Sequence, residues 1–108
     1  MSNTRLDKLK ELLESQPDDP FMQYAVGFEY ESADDYGQAL EWYEKILGAH
    51  KDYLPVYYQS GLLYAQLGKY DRAIELLKEG IAIAKSQRDE KTLRELTAAL
   101  DQVEDDME

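Results

Sequence analysis

Gly27 and Gly61 lie 34 residues apart, each at the centre of one pattern, Tyr-x-x-Gly-x-x-Tyr, in YAVGFEY (24–30) and YQSGLLY (58–64). At the same offset Tyr36 matches Tyr70, Ala39 matches Ala73, Glu41 matches Glu75 and Lys51 matches Lys85. Seven positions are thus identical between 20–53 and 54–87. A period of this length marks a unit too small to bury its own apolar face, which stacked neighbours must cover. Both glycines fall inside segments with helical apolar spacing, where glycine costs about 1 kcal/mol against alanine. The same cost taken twice, at one place in a repeating pattern, predicts two helices crossing in close contact there.

Each unit reads as two helices. Asp19 before Pro20 is an N-cap followed by a proline whose missing N–H is harmless in the first turn. Met22, Val26, Tyr30 and Ala33 then follow at helical spacing. DDYGQ interrupts, and Asp35 with Gln38 three residues on reads as a capping box opening a second helix. That helix carries Ala39, Leu40, Tyr43, Ile46 and Leu47 on its apolar side. The second unit repeats the plan, from Pro55 to about Leu67 and from Tyr70 to about Ser86, with Gly68 as a C-cap. Residues 4–16 carry a stripe of Leu6, Leu9, Leu12 and Leu13. Residues 89–104 carry Leu93, Leu96, Leu100 and Val103, with Arg94, Glu95, Asp101 and Glu104 outward.

A 34-residue helix–turn–helix repeat resembles the tetratricopeptide repeat family. The likeness rests on Gly27, Tyr30, Tyr36 and Ala39 in one unit, and on Tyr57, Gly61, Tyr64, Gly68, Tyr70 and Ala73 in the other. The stretch LGKYDRAIELLKEGI is similar to the family's turn and second helix. Two departures stand out: the usual small residue late in the second helix is Ile46 in one unit and Gly80 in the other, and the closing proline is Lys51 or Lys85. The resemblance implies an all-α, right-handed solenoid of about six helices with antiparallel neighbours. It would be a single domain over 1–108: a half-repeat helix at 4–16, repeats at 20–53 and 54–87, a capping helix at 88–104 and an acidic tail at 105–108. It further implies that Gly27 faces Ala39 and Gly61 faces Ala73, with Tyr30 and Tyr64 bracing the crossings.

Charge narrows the function. The net charge is −11, and residues 17–50 hold eight acids against Lys45 alone. Such a surface repels phosphate backbones, so nucleic acid is disfavoured and apolar or basic partners suit better than acidic ones. No apolar run approaches the roughly 18 residues of a membrane span, and the polar N-terminus is no secretory signal. The chain has no cysteine, which suits a cytoplasmic protein and removes thiolate metal sites and thiol nucleophiles. The initiating methionine and acidic tail are expected of a whole protein.

Catalysis needs converging titratable groups, and they are missing. His50 is the sole histidine and reads as a helix C-terminal residue. Asp18/Asp19, Asp34/Asp35 and Asp105/Asp106 lack the pattern of a calcium loop, and no phosphate loop or nucleophile motif occurs. No enzyme activity, metal or cofactor is expected.

The remaining signal is a second stripe. Tyr24, Phe28 and Glu31 follow at i, i+4 and i+7, and Tyr58, Leu62 and Ala65 repeat them with Gln59 and Gln66 alongside. In the family this stripe lines the concave surface where peptides or partner helices lie. Family members that grip the acidic C-termini of heat-shock chaperones carry lysine, asparagine and arginine there. Here the places hold Tyr24, Phe28, Gln59 and Leu62, so no basic clamp exists. The expectation is an adaptor or scaffold whose groove of Tyr24, Phe28, Glu31, Tyr58, Gln59, Leu62 and Gln66 takes a peptide or partner helix. Two alternatives stay open: the flanking helices cover the stripe, or the same apolar surface makes a homodimer.

Overall fold

A computed structural model describes residues 4–108. Residues 1–3, part of the expected 1–108 domain and including the initiating methionine, lie outside the described residues. The described residues form helices without strands: α1 (Thr4–Ser15), α2 (Pro20–Ser32), α3 (Tyr36–Ala49), α4 (Leu54–Gln66), α5 (Tyr70–Gln87) and α6 (Glu90–Asp106). The all-α expectation and the helix–turn–helix plan hold. The last helix runs two residues into the stretch expected as a tail, taking Asp105 and Asp106.

Two compact units divide the chain, one ending at Lys51 and the other running from Asp52 to Glu108. In the first unit α2 packs on α1 and on α3. In the second, α5 packs on α4 and α6, and α4 also touches α6. Of the expected apolar positions, Val26, Ala39, Tyr43, Ile46 and Leu47 are buried in the first unit, and Leu96 and Val103 in the second. Met22, Tyr30, Leu40, Leu93 and Leu100 are half-buried, and Ala33, the C-cap of α2, is exposed. Val56, Tyr57, Leu63, Leu76 and Leu77 complete the second core. The α1 stripe is less complete: Leu13 is buried but Leu12 is 54% exposed.

The helix starts follow the caps read from sequence, with one change. The Asp19 side chain accepts from the Phe21 N–H at 2.9 Å, and the Asp35 side chain accepts from the Gln38 N–H at 3.3 Å. The reciprocal half of the capping box is absent, because the Asp35 N–H is already committed to the Tyr30 carbonyl at 2.9 Å. That bond belongs to a turn used three times. Asp34, Gly68 and Arg88 all take the left-handed conformation, with φ of 61°, 78° and 57°. Each donates its N–H to the carbonyl three residues back, and the next residue donates to the carbonyl five back. This is the Schellman closure. The residue that completes it, Asp35, Lys69 or Asp89, is also the N-cap of the next helix. A helix pair is thereby joined by the fewest residues that satisfy both ends.

Only Gly68 adopts that conformation without a Cβ penalty. Arg88 takes it with a full side chain that is exposed. Arg88→Gly should therefore raise the stability by about 0.5–1 kcal/mol, the gain from relieving left-handed strain less the added freedom of the unfolded chain. Urea titration reads this as a higher midpoint at unchanged slope.

Both repeat glycines sit at close crossings. A Cβ on Gly27 would lie 2.7 Å from Tyr43 Cε1 and 3.2 Å from Trp42 Cβ. A Cβ on Gly61 would lie 2.8 Å from Leu77 Cδ2 and 2.9 Å from Leu77 Cγ, with the Ala73 carbonyl oxygen behind at 3.6 Å. Tyr43 and Leu77 are themselves 34 residues apart, so the notch repeats with the repeat. Ala39 and Ala73, the expected partners, are buried in the same hairpins. The atoms nearest each glycine belong to a larger side chain one turn further along the partner helix. Gly80 makes a further notch where α5 meets both α4 and α6: a Cβ there would lie 2.8 Å from Tyr57 Cβ and 3.1 Å from Leu96 Cδ1.

Candidate functional site

The stripe on α2 begins beside a buried polar anchor. Tyr43, fully buried, donates its hydroxyl to Glu31 at 2.9 Å. Its ring centroid lies 5.9 Å from that of Tyr24, with the planes tilted by 34°. Burial first, then the Glu31 carboxylate, pushes the Tyr43 hydroxyl far above its ordinary value. Glu31, expected as a partner-selecting acid, is therefore engaged within the fold. Gln23, one turn before Gly27, is also buried and donates its side-chain N–H to the Pro17 carbonyl at 2.7 Å. That bond ties the start of α2 to the turn before it.

The rest of the α2 stripe faces outward. Phe28 is 44% exposed and Phe21 is 64% exposed. With Tyr24 they line one side of a groove of about 310 Å³ whose other side includes Leu9 of α1. Arg5 and Glu29 stand in the same lining, paired Nε to Oε1 at 2.9 Å. Two expected residues, Tyr24 and Phe28, thus share one groove, and Glu31 lies outside its lining. Phe21, Leu9, Arg5 and Glu29 were not expected there. Phe21 was legible, because 21, 24 and 28 follow at i, i+3 and i+7 on one helix face. The α1 residues were not, since their spacing speaks of helix and not of which neighbour it meets.

In the second unit Tyr58, Gln59 and Leu62 are half-buried on α4, and Gln66 is exposed near its end. Tyr58 and Leu62 follow at i and i+4, so they share a face of that helix. Among the repeat-signature tyrosines Tyr57 is buried, and Tyr30, Tyr36, Tyr64 and Tyr70 are half-buried. The Lys10 ammonium lies 5.2 Å from the Tyr30 ring centre, and the Arg72 guanidinium 6.0 Å from that of Tyr64. Both rings thus lie beside cations, and Tyr43 and Leu77 supply the atoms nearest the two glycines.

Among the described residues no group of three or more His, Cys, Asp and Glu is placed to hold a metal ion. No helix of the described residues is long and apolar enough to cross a membrane.

The tetratricopeptide repeat family model matches residues 22–86. The chain is 35% identical to a tetratricopeptide repeat domain protein of Salinibacter ruber, seen in solution and in a crystal. The solution structure aligns over 82% of this chain and 89% of that one, with a TM-score of 0.78. The crystal structure aligns over 80% and 97%, with a TM-score of 0.76. A Bordetella parapertussis protein, 20% identical, shares the fold over 98% of this chain and 91% of that one, with a TM-score of 0.81. No curated protein matches the chain. The matched span covers both Tyr-x-x-Gly-x-x-Tyr patterns and both glycine notches, and the chain belongs to the tetratricopeptide repeat family.

Proposed function

We propose that the chain is a non-catalytic adaptor or scaffold, acting in the cytoplasm, that binds a peptide or partner helix through the outward stripe of α2. Tyr24 and Phe28 are its apolar contacts. Tyr58, Gln59, Leu62 and Gln66 of α4 offer the corresponding contacts of the second repeat. The observation that carries this reading is the exposure of Phe21 and Phe28 around one groove. Exposed rings gathered at a concave surface mark sites of association. Glu31 contributes by fixing Tyr43 beneath the stripe rather than by selecting the partner. The net charge of −11 favours apolar or basic partners over acidic ones, and nucleic acid and membrane surfaces are poor matches.

Selection of displayed random peptides on the purified protein tests it. Apolar and basic sequences should be enriched. Phe28→Ala should weaken peptides held on α2 and Tyr58→Ala those held on α4, each with unchanged helix content and by about tenfold or more, as loss of an anchoring ring does. Peptides that bind both variants as well as the parent would sink the reading. The same exposed rings suit a second copy of the chain, so light scattering on dilution belongs beside the selection. A species that stays dimeric at low micromolar concentration would move the assignment to self-association.

A further inference from the structure

The groove of the first unit contains one carboxylate that is nearly enclosed. The Glu29 side chain is 14% exposed, and the Arg5 guanidinium that pairs with it sits on a side chain that is 81% exposed. The two ends of this ion pair are therefore held very differently. A carboxylate with little water needs a cation or donors nearby. Arg5 supplies one contact, yet an exposed arm is weakly held and gives up little on leaving. Residues 17–50 hold seven acids besides Glu29, against Lys45, so the field around the groove draws cations in. The same groove is lined by Phe21, Tyr24, Phe28 and Leu9.

We infer that Glu29 is the cation-selecting residue of this groove and that Arg5 is its exchangeable placeholder. The inference rests on the groove being the contact surface proposed above, and it names the partner's chemistry. The occupant is an amphipathic helix with leucine or phenylalanine on one face and lysine or arginine beside it. Its apolar side chains seat between Phe21 and Phe28, as a helix does in a groove between two others. Its cation takes the place of Arg5 on Glu29, and Arg5 swings into water. One ion pair is exchanged for another, so Glu29 is never left unpaired. Arg5 works against binding in the free protein and keeps the groove from accepting apolar segments that lack a cation.

A fluorescent helix of about 18 residues, roughly 27 Å long and made of leucine and lysine alone, is the probe. Its leucine–glutamate counterpart is the comparison, and anisotropy at physiological salt is the readout. The lysine probe should bind and the glutamate probe should not. Phe28→Ser should weaken binding about tenfold or more, and Glu29→Gln about fivefold. Arg5→Ala should tighten it about two- to threefold. Glu104→Gln and Arg94→Ala, exposed on α6, make the same charge changes far along the chain and should have effects near unity. The inference is overturned if Arg5→Ala weakens binding or matches Arg94→Ala, or if Glu29→Gln matches Glu104→Gln. Should those results accompany a full loss in Phe28→Ser, the groove reading stands and only the cation exchange is lost. Should Phe28→Ser bind like the parent, the groove reading falls with it.

Discussion

Gly61→Leu is expected to remove about 3 kcal/mol or more of the stability of the second unit. A typical domain has only about 5–15 kcal/mol in total, so the variant should melt far below the parent or fail to fold. The cost is steric. The first carbon of any side chain at Gly61 would sit 2.8 Å from Leu77 Cδ2 and 2.9 Å from its Cγ. Leu77 is fully buried, and Cγ is not a free end that can swing aside. The two helices must separate, and every contact between α4 and α5 loosens with them. Gly48 supplies the contrast. It is also helical, but a Cβ there meets nothing within 4 Å. Gly48→Ala should gain up to about 1 kcal/mol from helix propensity alone. Urea midpoints at constant slope measure both. Equal and small effects at the two glycines would contradict the notch.

Tyr43→Ala is expected to cost the first unit about 3–5 kcal/mol, the range for emptying a large aromatic from a core. The ring closes the Gly27 notch, touches Tyr24 and carries a hydroxyl to Glu31. Tyr43→Phe separates these roles. It keeps the ring and removes one hydrogen bond to a carboxylate, at about 1–2 kcal/mol. The same hydroxyl makes a pH prediction. Burial raises the pKa of both Tyr43 and Tyr57, aided at Tyr57 by Glu79 and Asp52. A group whose folded value lies above its unfolded one stabilises fully below the unfolded value and loses that contribution above it. Stability should therefore hold up to about pH 10, the ordinary tyrosine value, and fall beyond it. In Tyr43→Phe the fall should be shallower. A parent and variant with parallel alkaline profiles would show that the buried hydroxyl is not linked to folding.

The repeat was legible because two identical patterns, 34 residues apart, can only mean one unit used twice. Asp19 and Asp35 marked helix starts because their side chains must meet N–H groups near the first turn. The partner of each glycine was not legible to better than one turn. Sequence spacing says that α2 and α3 cross near Gly27, and only packing brings Tyr43 and Trp42 nearest to it. The turns at Asp34 and Arg88 were hidden because a left-handed residue announces itself only when it is glycine, as Gly68 does. Of the site, Tyr24 and Phe28 were read from a stripe that the structure places in one groove. Glu31 sat at the right spacing for the stripe, but the reach of the Tyr43 hydroxyl claims it. Arg5 and Glu29 could not be paired from sequence, since they belong to different helices and only the docking of α1 on α2 brings them together.

The account's central claim is that the hairpins close because a glycine admits the side chain opposite. A double-mutant cycle on Gly61→Ala and Leu77→Ala, followed by urea unfolding, tests it most directly. In the parent the added methyl collides with Leu77, and its cost outweighs or cancels the helix propensity gained. In the Leu77→Ala background the space is open, so Gly61→Ala should stabilise by about 1 kcal/mol, with a coupling of about 1–3 kcal/mol between the sites. Strictly additive effects, with Gly61→Ala equally favourable in both backgrounds, would contradict the account.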